Sequence, residues 1–528
     1  MALTPEWRTV TLSGLHFSQK LGTCMSSDAS HTNSRTPSVQ QDDAAARSES
    51  DSDRSPEVLT TRHIVSVLAV LVVSALIMIL NETVLSVAIP DIMNDFGISA
   101  ATAQWLTTGF LLTMACIIPT TGWMLERFTI KRLFVVALSL FVVGTALATF
   151  AQNFPTILAG RIIQAGGTGI VLPLLMTSTL IMVPPARRGT VMGLNSVVIA
   201  VAPAIGPTLS GIIVNALSWH WVFGLMLPMG VLVLFTGSLV LKPTGQTRAL
   251  PLDVPSVLLA IVGFGGIVYA LGSVSAIVAG NPVPLIGLVL GVIGLSLFVS
   301  RQRRLQRNSE SAFLDLRPFG VRNFRLGVSV LMIAMALMLG SVMVLPILLQ
   351  SGMGFSVLTV GLVMLPGGLI QGLLSPLIGR AYDKFGPRPV VIPGTILLTA
   401  GEWLFFLVAP GTGIAYIVGV HITFSLGMAM IMTPMMTVAL GSLPHKLYGH
   451  GSAIMNTLQQ LGGATGTALL TAALTLGAAV AVVGGASDND AQISGAHVAF
   501  GFGGVLGVVA ILIAPFISKV KEENDAAR

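Results

Sequence analysis

Residues 122–132 read Gly-Trp-Met-Leu-Glu-Arg-Phe-Thr-Ile-Lys-Arg, and 257 positions later residues 379–388 read Gly-Arg-Ala-Tyr-Asp-Lys-Phe-Gly-Pro-Arg. Each copy follows an apolar run and ends in bases that precede another. The copies share a glycine (Gly122, Gly379), an acid (Glu126, Asp383) and bases (Arg127 and Lys384, Lys131 and Arg388, with Arg132 beside). An acid followed by bases can cap and pair across adjacent helix ends, and such a cluster can latch one face of a molecule shut. An ordinary solvated loop has no reason to recur at matched positions. Pro173-Leu-Leu-Met-Thr177 is echoed by Pro434-Met-Met-Thr437, and Asn195 by Asn456, with the prolines and the asparagines 261 residues apart. A period this long means two homologous halves rather than a solenoid.

Working outward, the 528 residues are 53% apolar and 9% charged, with mean hydropathy +0.86. Soluble domains carry roughly 25% charged residues, so this composition belongs to an all-α, polytopic membrane protein. Two cysteines, Cys24 and Cys116, exclude a disulfide framework and a four-cysteine metal site. The formal charge of +6 is scattered in short clusters and gives no nucleic-acid signal. Residues 1–63 stand apart: Ser26 to Pro56 is rich in Ser, Asp, Arg and Gln, with too little apolar surface to offset chain entropy. They are expected to be a disordered cytoplasmic tail, and no apolar run in the first thirty residues resembles a cleavable secretory signal.

Against the roughly 17–25 residues needed to span a bilayer, fourteen spans emerge: about 64–90, 101–124, 133–151, 155–182, 190–215, 221–241, 254–276, 283–300, 325–350, 357–379, 389–409, 413–440, 452–484 and 495–518. Alternate loops hold Lys and Arg, from Arg127 to Lys446, while the opposite loops hold none, only Asp91, Asp95, Asp488 and Asp490. The positive-inside rule then places both termini in the cytoplasm. The expected organisation is a six-helix bundle at 64–241, an inserted pair (helices 7 and 8) with a cytoplasmic loop at 242–324, a second, pseudo-symmetric six-helix bundle at 325–518, and a tail at 519–528.

Outside the tail, three of the Asp, Glu, Lys and Arg residues fall well inside predicted helices: Glu82, Arg161 and Glu402. A charge at the bilayer centre costs a few kcal/mol on insertion scales, so such residues usually face a polar cavity. Burial disfavours a carboxylate anion, and a Glu in a partly wet cavity can exchange protons near neutral pH. Glu82 is therefore the first candidate for a proton or cation site, against a purely structural ion pair. Glu402 lies towards the outer end of its helix, where a satisfied interfacial carboxylate is an equal reading. Arg161, with Gln164 one turn on, shares a helix face with it; an anchor snorkelling outward competes with cavity organisation. The in-helix residues Asn195, Gln371, Gln459, Gln460 and Asn456 could line a cavity or satisfy neighbouring backbone. Small residues and prolines in Ala202-Pro203-Ala-Ile-Gly206-Pro207-Thr-Leu-Ser-Gly211 indicate a tightly packed, kinked helix.

Taken together, these residues resemble the major facilitator superfamily, and within it the fourteen-span drug:proton antiporters. Both loop copies are similar to that family's gate motif. The stretch Leu158 to Gly167, with Arg161-Ile-Ile-Gln164-Ala-Gly-Gly167, looks like its proton-transfer motif, and Gly206-Pro207 with Ser210-Gly211 resembles its antiporter motif. Leu80-Asn81-Glu82-Thr83-Val84 and Ser218-Trp219-His220-Trp221-Val222-Phe223 are similar to its helix-1 and helix-6 signatures. The sequence departs in four places. Asn81 stands where many members place Asp, with the acid displaced to Glu82, about 100° round the helix. Glu126 replaces Asp, Thr129 replaces Gly, and Ala165 occupies a glycine position.

The resemblance implies a proton-coupled exporter of amphipathic drugs or antibiotics, multi-pass in a bacterial cytoplasmic membrane. It would work as a monomer and be driven by the proton gradient without a cofactor. Glu82, Asn81, Arg161, Gln164 and Glu402 would serve proton coupling and the substrate cavity. A dedicated physiological cargo (lipid, siderophore, amino acid or self-made antibiotic) is the alternative. A membrane enzyme or receptor is remote: no His/Asp cluster, nucleophile elbow or metal-ligand spacing appears, and no P-loop points to ATP.

Overall fold

The computed structural model describes residues 61–242, 252–273, 276–277, 280–307 and 312–520, and these are helical with no strand among them. The expectation of a disordered tail therefore falls, up to residue 60, outside the described residues. The long helices are α1 Thr61–Phe96, α2 Trp105–Arg127, α3 Ile130–Thr149, α4 Phe154–Met182, α5 Arg188–Ala216, α6 His220–Val240, α7 Val254–Gly272, α8 Val283–Arg307, α9 Arg322–Ile347, α10 Val357–Phe385, α11 Arg388–Phe406, α12 Ile414–Gly441, α13 Tyr448–Val483 and α14 Asp488–Ile513. Thirteen helices among the described residues are long and apolar enough to cross a membrane. The remaining expected span, 190–215, is the 29-residue α5, long enough for the roughly 30 Å of a bilayer core. The chain is a multi-pass membrane protein.

Local chemistry explains the helix starts. Asn153 caps α4, its side-chain oxygen accepting from Thr156 N at 3.0 Å. Ser356 and Ser487 do the same for α10 and α14, each satisfying a donor that the first turn leaves unpaired. The first loop copy uses the same device, since Thr129 caps α3 by accepting from Arg132 N. The second copy turns differently. Gly386, at φ +81°, ends α10 in a left-handed conformation that glycine adopts without strain, and Pro387 follows.

Apolar side chains cover the helices on all sides, as befits helices that meet lipid as well as each other. Leu239, on α6, is 70% exposed. One core cluster draws only on residues between Val67 and Leu241. A second is built mainly from residues between Phe313 and Ile517, and it takes in Trp123, Met176, Leu180 and Met192 from the first half. The halves thus pack together at the basic helix ends. Within each half the same pair packs through glycine. A Cβ on Gly144 of α3 would lie 2.5 Å from the Gly160 carbonyl of α4, and one on Gly401 of α11 would lie 2.8 Å from Phe424 Cβ of α12.

Candidate functional site

The polar centre of the first half is built on four helices. Arg161, on α4, is fully buried. Its Nη1 donates to Asn81 Oδ1 of α1 at 3.0 Å and to Gln164 Oε1 at 3.2 Å, and its Nε donates to the Leu106 carbonyl of α2 at 3.4 Å. The guanidinium lies over the Phe110 ring, 4.1 Å from its centroid, a cation–π contact worth about 0.5–2 kcal/mol. Gln164 passes the network on, its Nε2 donating at 2.8 Å to Thr145 Oγ1 of α3. Thr145 then donates to the Phe141 carbonyl. The snorkelling reading of Arg161 is thereby corrected. Being eight residues into α4, the guanidinium sits about 10 Å along the helix and points into the bundle, where dipoles replace the water it has lost.

Asn81 and Glu82 part ways as a helix requires. Asn81 is fully buried against Arg161, whereas Glu82 is half-buried, and among the described residues no hydrogen bond or ion pair holds its carboxyl. It remains within electrostatic reach of Arg161. The next residue, Thr83, donates to the Leu80 carbonyl at 3.0 Å and to the Ala202 carbonyl of α5 at 3.4 Å. Gly206 abuts the Thr83 side chain, so a Cβ there would overlap it. Gly206 thus sets how closely α5 approaches α1. Gly211 does not, since among the described residues a Cβ there meets nothing within 4 Å. The side chain of Pro207 lies outside the described residues.

Glu402 is fully buried, not interfacial. Its Oε1 accepts from Ser341 Oγ of α9 at 2.7 Å, while Oε2 has no partner among the described residues and lies against Gly503 of α14. On α12, His421 is also buried, and its Nδ1 has no partner among the described residues. His421 is not among the candidate residues read from the sequence. The repeat could have found it, because Asn81 and Ser341, and Arg161 and His421, are each 260 positions apart. Thr145 and Glu402 are 257 apart, so both polar centres occupy matched places. Elsewhere Asn195 donates to Thr179 Oγ1 at 3.0 Å and Asn456 to the Ser452 carbonyl at 2.8 Å. Gln460 lines a small cavity with Thr108 and Thr467.

At the basic ends the two loop copies each engage the opposite half. Asp383 accepts from Gly189 N at 2.8 Å, Thr190 N at 2.8 Å and Thr190 Oγ1 at 2.7 Å. One carboxylate of the second half thus caps the start of α5 in the first, and its charge meets the positive end of the helix dipole. Glu126 faces the start of α13, where His450 Nε2 lies 3.1 Å from Glu126 Oε1. Gly122 and Gly379 serve the same approach: a Cβ on Gly122 would lie 2.6 Å from His450 Nδ1, and one on Gly379 would overlap the Gly189 carbonyl.

The bases of the motif have their own partners. Arg127 lies over Trp123 and Phe128, Lys384 over Phe385, and Arg388 donates to the Ile517 carbonyl at 2.9 Å. Lys131 and Arg132 sit on the first turn of α3. Further hydrogen bonds join the halves. Arg188, buried, donates to Tyr448 Oη at 3.1 Å, and Thr433 donates to Ser196 Oγ at 2.9 Å. At the far end, Trp219 donates to Asp95 at 3.0 Å and stacks on His220.

This architecture is shared with known proteins. The family profile of the Major Facilitator Superfamily matches residues 71–467. The chain is 37% identical over 462 residues to lincomycin resistance protein LmrB of Bacillus subtilis, covering 86% of this chain and 96% of that protein. It is 30% identical over 397 residues to multidrug export protein EmrB of Haemophilus influenzae, covering 74% and 77% respectively. The proton:xylose symporter XylE superposes with a TM-score of 0.61 at 17% identity, over 87% of this chain and 97% of that one. The human organic anion transporter MFSD10 gives 0.60 at 15%, over 85% and 99%. With the repeated halves, the buried polar centres and the paired loop motifs, this establishes that the chain belongs to the Major Facilitator Superfamily of membrane transporters.

Proposed function

We propose that the protein is a proton-coupled exporter that moves amphipathic, often cationic, drugs or antibiotics out across a bacterial cytoplasmic membrane by alternating access. The observation that carries this reading is a half-buried Glu82 beside a fully buried Arg161 that neutral groups hold in place. In this account the Glu82 carboxyl serves protons and drug in turn. As an anion it attracts a cationic drug and the Arg161 guanidinium; once protonated it attracts neither, and the drug leaves. Arg161 tunes that exchange, and Asn81 and Gln164 keep it aimed. Glu402 is assigned to the proton and substrate path of the second half. The relatives named for lincomycin resistance and multidrug export support the substrate class.

The Lys- and Arg-rich loops support a cytoplasmic location for both termini. On that orientation the Asp383 and Glu126 contacts close the cytoplasmic face, and the conformation described is one that faces outward or is occluded. The protein works as a monomer, with no cofactor and the proton gradient as its energy source. One charge crossing supplies about 2.3 kcal/mol per 100 mV, or roughly fifty-fold accumulation. The test is transport in proteoliposomes with an imposed pH gradient, using lincosamides, lipophilic cations and neutral antibiotics. Gradient-driven uptake of several drugs supports multidrug export. Uptake of one natural compound alone would replace it with a dedicated cargo.

A further inference from the structure

The inserted pair α7 and α8 has no counterpart in the repeat, yet a line of hydrogen bonds leads from it to the gate. At its base, Asp253 accepts from Arg301 Nε at 2.8 Å and Arg301 Nη2 at 2.7 Å, and also from Ser256 Oγ. The carboxylate and guanidinium thus join the start of α7 to α8 as a two-pronged ion pair. One residue on, Gln302 is fully buried. Its Nε2 donates to Ser256 Oγ at 2.6 Å, and its Oε1 accepts from Leu314 N at 3.1 Å. A buried amide so placed fixes the following segment relative to the pair, because neither half of the amide has water to fall back on.

The segment is held on both sides. Phe313 and Leu314 are 1% and 3% exposed, and Phe313 packs edge-on to Phe298 of α8. Leu314 reaches the gate motif, where its Cδ1 lies 3.3 Å from the position of a Cβ on Gly122. Asp315 is braced by Gln306 at 3.1 Å and by Arg317 N at 2.8 Å. Its own backbone N donates to His450 Nδ1 at 3.3 Å. Since Nδ1 accepts, the ring proton sits on Nε2, the nitrogen that faces Glu126 at 3.1 Å. His450 in its neutral form therefore satisfies both neighbours at once, bridging the segment after α8 to the acid of the first gate copy.

We propose that the inserted pair is a strap that holds the cytoplasmic gate closed, with Gln302 and His450 as its positioning residues. The chain of contacts runs from Asp253 and Ser256 through Gln302, Leu314 and Asp315 to His450 and Glu126. Opening the gate between the halves must break it at His450, so loosening the strap favours the open face. This rests on the reading of that face as one gate of alternating access, but its test uses neither drug nor pH gradient. The export reading can thus fail while the strap stands, and the reverse.

The test is a pulsed electron-spin distance measurement between labels on Arg132→Cys and Lys446→Cys, with Cys24 and Cys116 changed to serine. In the parent the short-distance population is expected to dominate. Gln302→Met, which keeps the shape and removes both hydrogen bonds, is expected to lower the ratio of short to long distances about fivefold, the equivalent of about 1 kcal/mol. Ser256→Ala, a milder change that removes the acceptor of Gln302, should move the ratio the same way by less. An unchanged ratio in a monodisperse Gln302→Met sample overturns the proposal, even if its melting temperature falls, because filler in the core would lower stability alone. Should Gln302→Met not fold, an unchanged ratio in Ser256→Ala overturns it equally.

Discussion

Arg161 and Asn81 meet at 3.0 Å in the interior of the first half, a guanidinium against a neutral amide. A carboxylate at position 81 would form a tight ion pair there and spend the charge of Arg161 locally. The amide holds the guanidinium in place without neutralising it. On the proposed function, that charge is left for the carboxyl one residue further along the helix, which would gain and lose a proton or a drug. On that reading, Asn81 holds the guanidinium and Glu82 would do the coupling.

Arg161→Lys keeps the charge but lacks the planar fork that reaches Asn81, Gln164 and the Leu106 carbonyl together. We expect export to fall at least about tenfold, the effect of roughly 1.4 kcal/mol, with protein levels in the membrane unchanged. Parallel drug-uptake and immunoblot measurements check this, and near-normal uptake would show that charge alone suffices.

The two gate acids should differ in weight. Asp383 accepts three hydrogen bonds at a helix start, whereas Glu126 faces one histidine nitrogen. Asp383→Asn should destabilise the closed gate by about 1 kcal/mol, and Glu126→Gln, whose amide oxygen still accepts from His450, by less. Disulfide yield between Leu125→Cys and Gly449→Cys, whose Cβ atoms would lie 3.3 Å apart, reads the closed fraction. Equal losses in the two variants would contradict the asymmetry.

At the base of the inserted pair, hydrogen bonds from Arg301 and Ser256 hold the Asp253 carboxyl below its ordinary range. A carboxyl lowered on folding stabilises the protein above the unfolded-state value, and that contribution is lost as pH falls through the folded one. Thermal stability should therefore decline below about pH 4, and Asp253→Asn should show a smaller decline over the same window. A decline of equal size in the variant would assign it to other acids.

The repeat, the span count and the placing of Glu82 and Arg161 inside helices were legible because each is a local feature: an apolar run of fixed length, or a charge inside one. The partners were not. That Arg161 meets Asn81 depends on the relative depth of α1 and α4, which no spacing along the chain encodes. The outward reading of Arg161 and the interfacial reading of Glu402 failed for one reason: position along a helix says how deep a side chain sits, not which way the helix turns it. His450 was missed because a lone histidine at a helix start carries no signal by itself. Applying the repeat twice would have exposed it. Glu126 matches Asp383 at 257 positions and His450 matches Thr190 at 260, so the contact of Asp383 with Thr190 implies that of Glu126 with His450.

The central claim, that Glu82 couples protons to drug movement, is tested most directly in inverted vesicles that hold the purified protein and an imposed pH gradient. Lipophilic cations and lincosamides are added and the collapse of the gradient is followed. The account predicts drug-dependent proton release in the parent and none in Glu82→Gln at equal protein content. Coupled proton release that persists in Glu82→Gln would contradict it.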